Sequence, residues 1–233
     1  MSAVFKRELK AYFNGPIGYV ILAVFALFSG IFFSAIYMQG EPRVESVISA
    51  LGTVVIFIVP FITMRLLSED RKQKVDQVLL TAPVSVTAVV LGKFFAALSL
   101  YGIGFGFTLI FQLIVTANVS VNWLVYLYAL LGAMLFGAAL ISVGMFISSL
   151  TESSVVSAAI TLALFLVLLF AKSFASLSSL QIVEKAVDLI AFPDRFSNFV
   201  DGLFNPTDIV YMLSIAVLFV FLTIRSTERR RWA

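Results

Sequence analysis

Residues 94–151 read FFAALSLYGIGFGFTLIFQLIVTANVSVNWLVYLYALLGAMLFGAALISVGMFISSLT and contain no charged residue. A transmembrane helix needs about 20 apolar residues, and one helix of this length would far exceed the bilayer core, which is about 30 Å thick. The polar stretch Asn118-Val-Ser-Val-Asn122 interrupts the run near its middle. The run therefore predicts two membrane-spanning helices joined by a short turn.

Four further charge-free runs extend this pattern to six spans. They cover residues 11–40, 46–64, 153–171 and 209–224, and Pro206 is a favoured helix start that lengthens the last one. We expect an all-α polytopic membrane protein with a single transmembrane domain over residues 1–233. The spans are predicted near 17–38, 46–66, 87–116, 123–149, 154–174 and 206–225.

The composition supports a membrane protein and argues against several kinds of catalysis. Hydrophobic residues make up 61% of the chain and charged residues only 12%, about half the share in soluble domains. The absence of Cys and His removes disulfides, thiol catalysis, the Ser–His pair and the commonest zinc ligand. We therefore predict no catalytic and no metal-binding residue in this chain.

Lys and Arg residues are distributed unevenly between the two sides of the predicted bundle. With six spans both termini lie on one side, and twelve of the 16 Lys and Arg residues fall there. The positive-inside rule then places both termini in the cytoplasm. The net charge of +3 reflects this topology, and no nucleic-acid partner is predicted because the basic residues lie beside membrane spans.

Residues 3–13 predict a basic amphipathic helix that lies in the membrane plane, with a frayed basic tail as the alternative. One face is apolar and the opposite face carries three basic side chains, but Glu8 falls on the apolar side. The candidate contact residues of this interfacial helix are Phe5, Lys6, Arg7, Glu8, Leu9 and Lys10.

Residues 67–85 form the longest loop on the predicted cytoplasmic side. Ser68 is a candidate N-cap, Glu69 and Asp70 suit a first helical turn, and Pro83 would end the helix. An apolar stripe at i, i+3 and i+4 would suit docking into a groove of a cytoplasmic partner, and a solvated linker is the alternative. The candidate contact residues are Ser68, Glu69, Asp70, Arg71, Lys72, Lys74, Val75, Val78, Leu79 and Pro83.

Small residues within the third and fourth spans predict close helix packing. Gly102 with Gly106, and Ala133 with Gly137, form two small-xxx-small pairs. A dimer seam or a substrate path is the alternative use of these pairs.

Residues 175–205 are the only sizeable segment on the predicted outer side. They are too apolar to extend freely into water, so we expect short helices that lie on or dip into the outer leaflet. A plain extracellular cap is the alternative.

Several short motifs follow one another in a fixed order along most of the chain. They are Arg7-Glu8-Leu9, Pro16-Ile-Gly-Tyr19, Pro60, Thr63-Met-Arg65, Ser68-Glu-Asp-Arg71, Leu79-Leu-Thr-Ala-Pro-Val84, Gly92-Lys93, Ser148-Ser-Leu-Thr-Glu152 and Thr207-Asp-Ile-Val-Tyr211. With six spans, this set resembles permease subunits of the ABC-2 transporter family, and most closely the branch associated with gliding motility and copper-enzyme maturation. Lys74-Val75-Asp76 departs from that pattern, because the family usually has Gly-Thr and an acid there.

The resemblance implies an exporter subunit of the bacterial cytoplasmic (inner) membrane. Two permease subunits, identical or related, would form the pathway above two ATP-binding cassette subunits, and a membrane-anchored auxiliary subunit is a further expected partner. Residues 67–85 would be the coupling helix, and residues 175–205 would form short re-entrant helices at the exit. The chain lacks a Walker A motif, so we expect no enzymatic activity and no bound cofactor, with ATP and Mg on the partner subunit.

Two other functions remain open at the level of the sequence. One is a membrane scaffold or assembly subunit that binds an ATPase without moving a substrate. The other is an ATP-independent carrier or channel, although such proteins usually place ionisable residues inside their spans.

Overall fold

The computed structural model describes residues 1–40, 43–72, 85–177, 192–203 and 205–229, and these residues fold into helices joined by short turns. Six of the helices are long and apolar enough to cross a membrane, which confirms an all-α, multi-pass membrane protein. The helices are α1 (Ser2–Asn14), α2 (Pro16–Met38), α3 (Val44–Thr63), α4 (Ser68–Lys72), α5 (Val86–Asn118), α6 (Trp123–Leu150), α7 (Ser154–Leu177), α8 (Phe192–Val200) and α9 (Pro206–Arg229).

Local sequence signals set where the long helices begin. Pro16 occupies the first turn of α2, where its missing N–H costs nothing. The Ser85 hydroxyl accepts a hydrogen bond from the Ala88 amide at the start of α5, at 3.3 Å. Asn122 caps α6 by accepting from the Leu124 amide at 3.0 Å, so the turn between α5 and α6 falls at the polar stretch that the sequence indicated.

Helix α6 forms the centre of the bundle. It is the most buried of the six spans, and it packs against α3, α5, α7, α8 and α9. Three of its glycines lie directly against side chains from three other elements, with no room for a Cβ. The pairs are Gly132 with Phe199, Gly137 with Tyr101, and Gly144 with Thr63.

The α5–α6 contact uses one predicted small-residue pair, whereas the other pair lies mostly outside the packed surface. The Tyr101 hydroxyl donates to the Ala133 carbonyl at 2.9 Å while its ring lies over Gly137. A Cβ at Gly102 would meet Met134, whereas a Cβ at Gly106 would meet no described atom within 4 Å apart from the backbone of its own helix. A dimer seam at Gly106 therefore stays a prediction.

A different glycine of α5 provides the close approach to α2, and it offers a test of the packing. A Cβ at Gly104 would lie 2.6 Å from the fully buried Phe25 ring. We expect Gly104→Ala to destabilise the protein by about 2 kcal/mol through overpacking. Gly106→Ala, two residues away, should be neutral or stabilise by up to about 1 kcal/mol because alanine favours helix. Thermal unfolding of the two purified variants compares them directly, and equal melting temperatures would contradict the packing.

Some of the predicted residues lie outside the described part of the chain. These are Lys74, Val75, Val78, Leu79 and Pro83 of the predicted coupling loop, and residues 178–191 and Phe204 of the predicted outer segment. For Arg71 and Lys72 the structure describes the helical backbone only.

Candidate functional site at the terminal end of the bundle

Helix α1 is anchored to the end of the bundle at which the last turn of α9 also lies, called here the terminal end. Val4 is buried against Gly92 of α5, where a Cβ would lie 3.0 Å from the valine Cβ. The Tyr12 hydroxyl donates to the Ile62 carbonyl of α3 at 2.9 Å. Burial raises the pKa of this phenol, so it remains a donor across the physiological range. The residues predicted as a frayed tail or a helix therefore form a docked helix.

Lys93 is the central charged residue of this end. It lies two turns inside α5 and its side chain is 1% exposed. Its ammonium is 3.1 Å from Glu8 Oε1 of α1 and 2.8 Å from Asp70 Oδ2 of α4. One buried cation thus joins α1, α4 at the start of the predicted coupling loop, and the span α5.

Lys93 and the three charged residues joined to it form a group with no net charge. The Arg7 Nη2 atom lies 2.6 Å from Glu8 Oε1, and this hydrogen bond raises the pKa of Arg7 above its ordinary value. Two cations and two carboxylates therefore form one group, which we call the Lys93 cluster: Arg7, Glu8, Asp70 and Lys93. A buried charge without such partners would carry a large desolvation penalty, so the cluster fixes how α1, α4 and α5 meet.

The turn between α3 and α4 is held by Ser148, near the end of α6. The Ser148 hydroxyl accepts from the Leu67 and Ser68 amides, at 3.2 Å and 3.1 Å, and donates to the Met64 carbonyl at 3.2 Å. Ser148 is fully buried. The central helix is thereby bonded to the backbone that leads directly into α4.

Ser68 itself occupies a different position from the one predicted. We predicted a cap preceding a helix, but Ser68 is the first residue of α4. Its hydroxyl donates back to the Met64 carbonyl and lies 3.2 Å from the Ser154 hydroxyl of α7. The residue thus links α4 to both α3 and α7.

A polar cavity of about 420 Å³ opens between α1 and the end of α3. The Lys93 cluster lines it together with Tyr12, Arg65 and Glu69. Arg65 lies 3.7 Å from Glu69 one helical turn later, and both side chains reach solvent.

The structure brings together predicted residues that are far apart in the sequence. Lys6, Arg7 and Lys10 are exposed on α1 as predicted, while Glu8 points inward to Lys93. Glu69 and Asp70 lie beside them on α4. Sequence reasoning gave no site role to three positions that hold this end together, namely Tyr12, Lys93 and Ser148, although the last two lie in the ordered motifs. A lone lysine within an apolar helix was the available signal, because such a charge needs a partner.

The opposite end of the bundle, called here the far end, contains a second organised group around α8. The Phe196 ring stacks on Phe136 of α6 with 5.0 Å between centroids, and Phe199 is fully buried beside Gly132. The Asp208 carboxylate at the start of α9 accepts hydrogen bonds from Arg195 at 2.9 Å and from Asn198 at 2.8 Å. Helix α8 is therefore packed against the bundle by two of its aromatic side chains, Phe196 and Phe199.

A family model described as ABC-2 type transporter matches residues 1–188, which include α1 to α7 and the whole Lys93 cluster. No curated protein matches the chain.

Proposed function

Because this chain belongs to the ABC-2 type transporter family, we propose that it is the permease subunit of an ATP-driven exporter. Membership makes it a membrane component of an ABC transporter that works with ATP-binding cassette subunits. The proposal adds a pathway formed with a second permease subunit, identical or related, above two ATP-binding subunits. It also places the protein in the bacterial cytoplasmic membrane with both termini in the cytoplasm.

The observation that carries this proposal is the Lys93 cluster. Helix α4 begins the segment that we propose docks on the ATP-binding subunit. Displacement of α4 would reach α1 and α5 through the Lys93 ion pairs, and α6 through the Ser148 hydrogen bonds. Packed helices with two discrete arrangements can carry such a displacement across a membrane domain.

The remaining parts of the proposal follow from sequence and family. The chain has no Walker A motif, so ATP and Mg belong to the partner subunit and this chain is not itself an enzyme. Helix α8 would form the exit gate at the far end. The gliding-motility and copper-enzyme-maturation branch, and its auxiliary subunit, rest on the ordered motifs and stay predictions.

A charge reversal on α4 tests the docking surface. We expect Glu69→Lys to reduce retention of the ATP-binding subunit on the purified permease about tenfold, because reversing this charge would disturb electrostatic complementarity at the proposed contact. Retention is measured by co-purification from membranes. Glu228→Lys is the matched control, because Glu228 is equally exposed, also pairs with an arginine, and lies in the last turn of α9.

The two variants together separate docking from a general charge effect. Retention should fall for Glu69→Lys and stay unchanged for Glu228→Lys. Equal retention in both variants would exclude α4 as the docking surface. A complex that forms normally but moves no substrate in the unmodified protein would instead favour a scaffold or assembly subunit.

A further inference from the structure

An apolar groove runs between α2 and α3 on the outside of the bundle. It encloses about 510 Å³ and is lined along its length by Val20, Val24, Val54, Phe57 and Phe61. Val20, Phe57 and Phe61 are exposed, so the groove opens sideways to whatever surrounds the spans. Because α2 and α3 are long and apolar enough to span a membrane, the groove lies at the depth of lipid hydrocarbon chains.

The groove continues into the polar cavity at the terminal end. Ile17 and Phe61 line both spaces, so one continuous surface changes from apolar to charged where the spans end. This is the level at which phospholipid headgroups lie in a bilayer. A molecule that fits both parts has an apolar chain and a polar head.

Two of the three exposed charges that line the cavity are positive. The Arg7 and Arg65 side chains are 47% and 50% exposed, and Glu69, which lies 3.7 Å from Arg65, is 39% exposed. Glu8 and Asp70 are 15% and 21% exposed and already bonded to Lys93. Arg7 uses Nε and Nη2 to bond Glu8, and the guanidinium has further N–H donors on Nη1. Arginine forms paired hydrogen bonds with phosphate, and basic residues beside a span attract anionic lipids.

We propose that this surface is a binding site for an anionic phospholipid, with an acyl chain in the α2–α3 groove and the phosphate between Arg7 and Arg65. The site goes beyond transport, because the lipid would bind the permease alone. It would also place a headgroup against the Lys93 cluster, so a bound lipid would stabilise the docked position of α1.

Native mass spectrometry of the purified chain with added phosphatidylglycerol tests the proposal. We expect Arg65→Gln, which removes a phosphate donor, and Val54→Trp, which fills the groove, each to weaken lipid binding about tenfold. Arg225→Gln and Val217→Trp are matched controls, since Arg225 is another exposed arginine at the terminal end and Val217 faces outward on α9. Both controls should bind phosphatidylglycerol as the unmodified protein does.

Two further probes identify which part of the lipid is recognised. Diacylglycerol, which lacks the phosphate, and inorganic phosphate, which lacks the chains, should both bind much more weakly than phosphatidylglycerol. Inorganic phosphate that binds as strongly would reduce the site to a simple anion site and overturn the proposal.

Other outcomes would also exclude the lipid site. Equal binding by the test and control variants would overturn it. So would a Val54→Trp variant that changes the monomer–dimer balance and leaves lipid binding intact, because the groove would then receive a second copy of the chain. Val24→Trp fills the groove from its other wall and repeats the test if Val54→Trp fails to fold.

Discussion

Lys93→Met should lower the stability of the purified protein by about 3 kcal/mol. The substitution keeps most of the apolar stem but removes the cation, and breaking a buried ion pair in this way typically costs about 3–5 kcal/mol. We take the lower figure because Glu8 and Asp70 retain some contact with solvent. For a chain of this size the loss corresponds to a decrease of about 6–12 °C in melting temperature.

A matched set of variants separates charge pairing from simple loss of a lysine. Arg225→Met removes an exposed cation from the same end of the bundle and should change the melting temperature little. Adding Glu8→Gln and Asp70→Asn to Lys93→Met removes the two carboxylates that lost Lys93 as a partner, so most of the lost stability should return. The pairing would be contradicted if Lys93→Met and Arg225→Met unfolded at the same temperature.

The triple variant Lys93→Met, Glu8→Gln and Asp70→Asn also distinguishes a coupling role of the Lys93 cluster from a purely structural one. It should fold, but without the ion pairs a displacement of α4 would no longer be passed to α1 and α5. We therefore expect its stability to recover while stimulation of the partner ATPase stays reduced. Full recovery of both quantities would limit the Lys93 cluster to a structural role.

The sequence predicts the spans well because the bilayer imposes a length and an apolar composition on each of them. Charge-free runs meet both conditions, so the spans can be recognised without knowing any tertiary contact. The Lys93 cluster could not be predicted in the same way, because Glu8 and Lys93 are 85 residues apart and meet only through packing of α1 on α5. Each residue was nevertheless conspicuous alone, as a single charge on an otherwise apolar helical face. Two such residues of opposite sign are a signal for a buried pair.

Helix packing was predicted less well, for a related reason. In a membrane-spanning helix both the buried and the lipid-facing surfaces are apolar, so hydropathy does not show which surface faces inward. The pattern selected two pairs, and the structure packs Tyr101 against Ala133 and Gly137 of the second. On α5, however, Gly104 and not Gly106 lies against a neighbouring ring. The Ser148 hydrogen bonds were equally hidden, because a serine at the end of a span has many possible partners.

Phe199→Ala should release α8 from the far end of the bundle. The Phe199 ring is fully buried against Gly132, and removing a buried phenyl group costs about 3 kcal/mol through lost contacts and the remaining cavity. A helix of nine residues is not stable on its own, so α8 depends on such contacts. We expect hydrogen exchange of the α8 amides to become about 100-fold faster, which corresponds to that loss of stability.

Leu203→Ala is the control for this effect, because Leu203 follows α8 closely and its side chain is 60% exposed. Exchange in α8 should be unchanged in that variant. If Phe199→Ala also left exchange unchanged, the ion pair of Arg195 with Asp208 would be sufficient to hold α8. If α8 instead loosens and is the exit gate, the variant should allow partner ATP hydrolysis to proceed without export, because a gate that no longer closes cannot complete the transport cycle.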